Sequence, residues 1–196
     1  IKDKEIKATI KSVLGTFVKS GRPNQASAFF LKAINSLSEN AVFGCVLPSS
    51  IFTLDIYNSL RNHISEISNF KIIGKLGNYV FEDALTDVSI IVGIKNRINF
   101  PPKLIWTKNE KGVAQEALRE LRKLQANNEI AISKNSYSIY TPERFPILEN
   151  NWRIISLNEN KFITDLNVYI GARKLIKLQE IFTVYQGALL GTKDVF

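Results

Sequence analysis

The chain has 196 residues, is 45% hydrophobic and carries a formal net charge of +8. That length and apolar content support a soluble globular chain with a real core, and the single cysteine excludes a disulfide framework. No apolar run approaches the roughly 20 residues of a membrane helix and no signal peptide is visible, so a cytoplasmic protein with no membrane partner is expected.

The chain begins at Ile1 and contains no Met. The expectation is a fragment, or a chain whose methionines are replaced by a variant such as selenomethionine. The basic excess favours an anionic partner such as nucleic acid.

Taken in order, Ile6, Ile10, Val13, Leu14 and Phe17 form a helical stripe with Lys7, Lys11 and Lys19 off it. Gly21-Arg22-Pro23-Asn24 breaks that helix, and Asn24 is placed to cap a second one whose Phe30, Ile34 and Leu37 share a face. Phe43 to Leu47 is a short apolar run closed by Pro48-Ser49-Ser50, the pattern of a buried strand. Thr53 is the expected cap of the next helix, which repeats through Leu54, Tyr57, Leu60, Arg61, Ile64 and Ile67.

Phe70 to Ile73 then reads as a strand, so the order strand, helix, strand implies a crossover in an α/β sheet. The chain turns through Gly77-Asn78, passes Tyr79-Val80-Phe81 and returns as Val88, Ile90, Val92 and Ile94. So short a return predicts an antiparallel hairpin at the edge of an otherwise parallel sheet.

Asn99-Phe100-Pro101-Pro102 is a breaker. A charged amphipathic helix follows from Val113 to Ala126, buried along Val113, Ala117, Leu121 and Leu124, and then two short strands flank Lys134-Asn135. Residues 141–151 read as a linker, Arg153 to Leu157 as a strand, and Phe162 to Leu178 as helical in part. Three segments result: 1–98, 99–151 with a helix and short hairpin, and 152–196.

No catalytic constellation is visible. His63 is the sole histidine, which argues against a metal site, and Cys45 sits within an apolar strand as a packed, inert thiol. No phosphate loop or dinucleotide fingerprint occurs.

Three stretches in order, Arg22 to Phe30, Phe43 to Phe52, and Gly77 to Ala84 with Thr86 to Val92, resemble one known family. It is the adenine-specific N6 DNA methyltransferases of restriction-modification systems, in the C-terminal half of their catalytic domain. The resemblance covers about residues 20–95. It implies an α/β fold: the distal half of a Rossmann-like methyltransferase sheet ending in an antiparallel hairpin, followed by a mixed α+β connector at 99–151.

The family's enzymes take the target base out of the stack and hold it against an aromatic from this hairpin region, which here matches Phe81, with Tyr79 as the alternative. A Phe81 packed under the turn as core is the competing reading. Glu82 and Asp83 read as turn and capping residues.

The family's glycine-rich turn for S-adenosylmethionine and its Asn/Asp/Ser-Pro-Pro-aromatic tetrapeptide are both missing from the expected places. Asn99-Phe100-Pro101-Pro102 has those letters in another order, on the far side of the hairpin, and reads as a linker. Hence no catalytic or cofactor-binding residue is expected in this fragment, and S-adenosylmethionine belongs to the full-length parent. From Leu175 to Phe196 the chain looks like the opening of the family's target-recognition domain.

Double-stranded DNA and the remainder of the methyltransferase are the implied partners, with Arg119, Arg122 and Lys123 as DNA-backbone candidates. The rival expectation is a non-enzymatic α/β nucleic-acid-binding or adaptor module, which accounts for the charge and the missing motifs without a parent enzyme.

Overall fold

The computed structural model describes residues 2–18, 24–81, 86–96, 100–127, 131–148, 151–172 and 175–176. Ile1–Asn160 forms one compact unit and Lys161–Phe196 a second. No helix among the described residues is long and apolar enough to cross a membrane.

The first unit opens with α1 (Lys2–Leu14) and a 3-10 turn at Gly15–Phe17. Only Leu14 of the expected stripe is fully buried, and Ile6 is exposed, so α1 is anchored by its C-terminal end. The next helix is α2 (Gln25–Ser36), capped as expected by Asn24, whose Oδ1 accepts from Ser27 N at 2.8 Å. The Asn24 amide in turn donates to the Tyr57 hydroxyl at 3.1 Å. At the far end of α2, Lys95 Nζ donates to the carbonyls of Asn35 and Leu37, cations being favoured at a helix C-terminus.

Strand β1 (Val42–Pro48) leads into a four-residue helix α3 (Ser50–Thr53), a 3-10 turn at Asp55–Tyr57 and α4 (Asn58–Ile67). Thr53 therefore closes α3 instead of capping α4, and its hydroxyl donates back to the Ser49 carbonyl at 3.3 Å. β2 (Asn69–Gly77) and β3 (Val88–Ile94) form the antiparallel hairpin. β3 folds back between β1 and β2, antiparallel to both, which leaves β1 and β2 parallel to each other across it. The close approach depends on Gly93. A Cβ there would lie 2.7 Å from Phe43 Cζ and 2.9 Å from the Asn69 carbonyl oxygen.

The sheet continues past the hairpin. β4 (Lys103–Thr107) runs parallel to β2, and β6 (Tyr137–Tyr140) and β5 (Ile132–Ser133) complete the six-stranded order β1-β3-β2-β4-β6-β5. The 99–151 segment thus contributes three strands to the same sheet. β4 escaped sequence reading because Leu104 and Ile105 are both fully buried, which removes the period-two alternation.

Cross-strand register sorts the two faces. One carries Leu76, Val88, Ile105, Tyr137 and Ile139 beneath α5 (Val113–Asn127), whose Val113, Ala117, Leu121 and Leu124 are buried as their spacing predicts. Phe70 lies on the other face under Trp152, the ring centroids 5.0 Å apart, and Phe52 meets the same indole edge-on at 5.5 Å.

β1 corrects the expectation of a buried strand. Its residues alternate, with Phe43 and Leu47 buried while Val42 and Val46 are 70% and 53% exposed. Its outer edge has no strand partner among the described residues. Arg153 to Leu157 is likewise not a strand: Ile154 and Ile155 are buried in an extended run that leads straight into α6 (Leu157–Gly171). Ser156 and Glu159 form a reciprocal capping box there, at 2.8 and 3.2 Å.

Candidate nucleic-acid interface

The chain leaves β2 through Gly77, whose φ of +78° suits glycine, and the next amide, Asn78 N, donates to Asn109 Oδ1 at 2.7 Å. With the exit angle held, burial alternates along the residues that follow. Val80 packs against the cluster under α5, which turns Tyr79 and Phe81 outward at 43% and 50% exposure. Phe81 is therefore not a core residue. Glu82 and Asp83 lie outside the described residues, as do 177–196, where the opening of a recognition domain was expected.

Arg119, Arg122 and Lys123 are all exposed on α5. Lys123 is paired with Glu120 at 2.7 Å, whereas neither arginine has an ion-pair partner among the described residues. The aromatic pair and the cationic helix border the same apolar cluster through Val80, but no cation–ring contact joins them among the described residues. α5 is itself tied down by Glu116, whose Oε1 accepts from Lys134 Nζ and Tyr137 Oη, each at 3.1 Å. These bonds hold the Glu116 carboxyl below its usual range, and the Tyr137 hydroxyl, with Glu116 second, raises the Lys134 ammonium.

At the carboxyl ends of β1, β2 and β4 lies a cleft of about 640 Å³. Sequence reading missed it, because its walls come from residues 48–50, 52–54, 75, 86, 87, 89, 106, 152–155 and 159. Ser49 and Ser89 share a hydroxyl hydrogen bond of 2.8 Å at its floor. One wall is the α3 turn, held from beneath by the buried guanidinium of Arg61, which donates to the Ile51 and Leu54 carbonyls at 2.8 and 2.9 Å and to Asn58 Oδ1. Burial lowers the Arg61 pKa to about 10, still fully charged at neutral pH.

Cys45 is half-buried, and burial pushes its thiol pKa up, as suits an inert side chain. His63 lies against Phe17 and hydrogen-bonds Asn35 Oδ1 at 3.1 Å.

No protein-family model matches the chain. The modification subunit of a putative type I restriction enzyme from Vibrio vulnificus superposes on 76% of the chain with a TM-score of 0.52 and 15% identity. The chain's six-stranded mixed sheet, with β3 and β6 each antiparallel to both neighbours, is what the likeness rests on. The fold is methyltransferase-like.

The type IIG restriction endonuclease BpuSI gives the same picture, with a TM-score of 0.50 and 15% identity over 83% of the chain. Among curated proteins, heat shock 70 kDa protein 13 of Pongo abelii is 28% identical over 159 residues, 72% of the chain. Identity at that level assigns no family. The chain spans about a third of that protein's length, and 34% and 18% of the two solved chains. The methyltransferase-like sheet places Phe81, Tyr79 and the cleft at one end, where the parallel strands finish.

Proposed function

We propose that the chain is the distal part of a restriction-modification DNA methyltransferase that moves a methyl group from S-adenosylmethionine to N6 of a flipped adenine. The observation that carries this reading is the pair of outward aromatics, Tyr79 and Phe81, at the exit of β2 in a methyltransferase-like sheet. A base leaving its stack gives up a few kcal/mol, and an aromatic face at the pocket wall returns part of it. Phe81 supplies that face without leaving a hole in the core, since Val80 between the two rings does the packing.

S-adenosylmethionine, bound by other parts of a longer polypeptide, would supply the methyl group. The open edge of β1, with Val42 and Val46 exposed beside it, suits the addition of further strands from the same polypeptide. Duplex DNA and a target-recognition domain are the partners in this reading, with Arg119 and Arg122 free to meet phosphates.

The missing glycine turn favours, as the rival, a nucleic-acid-binding module without enzymatic activity. Incubating the longer parent protein with duplex DNA and methyl-labelled S-adenosylmethionine separates them. The expected product is N6-methyladenine, and recovery of no methylated base, or of methylated cytosine, would overturn the proposal.

A further inference from the structure

We infer that the cleft at the carboxyl ends of β1, β2 and β4 binds one nucleotide of a DNA strand, its base against Trp106 and its phosphate between Lys75 and Arg153. The inference rests on the DNA-acting reading above and adds to Phe81 a second, separate point of contact.

The position is the first ground. In open α/β sheets, ligands settle in the crevice beyond the carboxyl ends of parallel strands. Here β2 and β4 run parallel, with Lys75 opposite Trp106 in register, so an ammonium and an indole stand side by side on one face. At about 640 Å³ the cleft lies within the range of sites for small organic ligands.

The lining is the second ground. Ser49, Ser89 and Thr53 offer hydroxyls, and Asp87 at the rim offers an acceptor to a base amino group. Two cations converge on the cleft from distant parts of the chain. Lys75 and Arg153 both act on the Glu159 carboxylate, yet neither lies within 4.0 Å of any carboxylate among the described residues. Glu159 is committed instead to the Ser156 amide at the start of α6, at 2.8 Å. Both cations line the cleft without being neutralised by contact, which suits a phosphate arriving there.

Trp106 is the third ground. It is half-buried, whereas Trp152, in the same cleft, is 1% exposed. An indole that keeps part of its surface open in the cleft offers a stacking surface, and base–aromatic stacking contributes about 1–3 kcal/mol.

These are the only two tryptophans in the chain, so intrinsic fluorescence reports on the cleft directly. A short single-stranded oligodeoxynucleotide titrated into the full chain should quench Trp106, and Trp106→Phe should abolish the quench. Lys75→Ala with Arg153→Ala should weaken binding, read by anisotropy of a labelled strand, by roughly tenfold at about 0.1 M salt. Both cations are at least partly exposed, so their replacement leaves the fold intact.

Binding of the strand with no quench and no loss in the double variant would overturn the cleft assignment while leaving the DNA-acting reading in place. Absence of binding to the chain would also overturn it, the reading itself being tested by methylation in the parent. A nucleoside monophosphate that saturates the quench as tightly as the strand would overturn the strand as the source. Competition by inorganic phosphate alone, without quenching, would support the phosphate position.

Discussion

Arg61 Nη1 donates to the carbonyl of Ile51 at 2.8 Å, and through this bond a charged residue at 1% exposure holds the wall of the cleft. The same nitrogen also donates to the Leu54 carbonyl, which accepts from Tyr57 N as well, so one guanidinium ties the Ile51 carbonyl to the turn that follows α3. Arg61→Ala should cost about 3 kcal/mol by orphaning the Ile51 carbonyl and opening a void, read as a lower urea midpoint with unchanged slope. Arg61→Lys should recover little of it, because a single ammonium cannot span the same carbonyls and Asn58 together. A loss below roughly 0.5 kcal/mol would remove Arg61 from this role.

Phe81 and Val80 are neighbours with opposite exposures, which permits a clean separation of function from packing. Phe81→Ala should leave thermal stability within about 0.5 kcal/mol while lowering methyl transfer in the parent enzyme by roughly tenfold or more, with S-adenosylmethionine affinity little changed. Val80→Ala should do the reverse, costing about 1 kcal/mol of stability. Fluorescence of a base analogue at the target position reads extrusion directly. Unchanged extrusion in Phe81→Ala would pass the stacking role to Tyr79.

Exposed cations on α5 should act through phosphates and not through sequence. Replacing Arg119 or Arg122 by Ala should weaken duplex binding evenly across sequences and reduce the salt slope by about 1 for each residue. Lys123 should contribute less, because Glu120 already pairs with it. An unchanged slope in all three variants would assign these side chains to solvation alone.

Glu116 predicts a pH dependence of known sign. Its folded pKa is depressed, so its contribution to stability is present above the unfolded value of about 4.5 and disappears as pH falls through the lower folded value. Lys134 is raised, so its share is present below the unfolded value near 10.5 and is lost as pH rises through the folded one. Thermal melts of Glu116→Gln against the parent chain should converge in acid and separate near neutrality. Parallel curves across that range would show that the bonds to Lys134 and Tyr137 contribute nothing net.

The sequence alone determined what depends on near neighbours. The Asn24 cap and the buried face of α5 follow from spacing, since a helix closes its bonds and shows its periodicity within a few residues. The hairpin was legible too, because Gly77-Asn78 and the return through Val88, Ile90, Val92 and Ile94 mark it, whereas Phe81 was left open between an outward ring and a core one. Tertiary structure decided the rest. Whether β1 is buried, where β3 inserts and that β4 exists depend on which strands pair, and pairing is a long-range choice that no local period encodes. The cleft is the extreme case: Lys75, Trp106 and Arg153 each look like ordinary surface residues in sequence. They become one site only because parallel pairing aligns β2 with β4, and Trp152, packed on Phe52 and Phe70, carries Arg153 to the same end of the sheet.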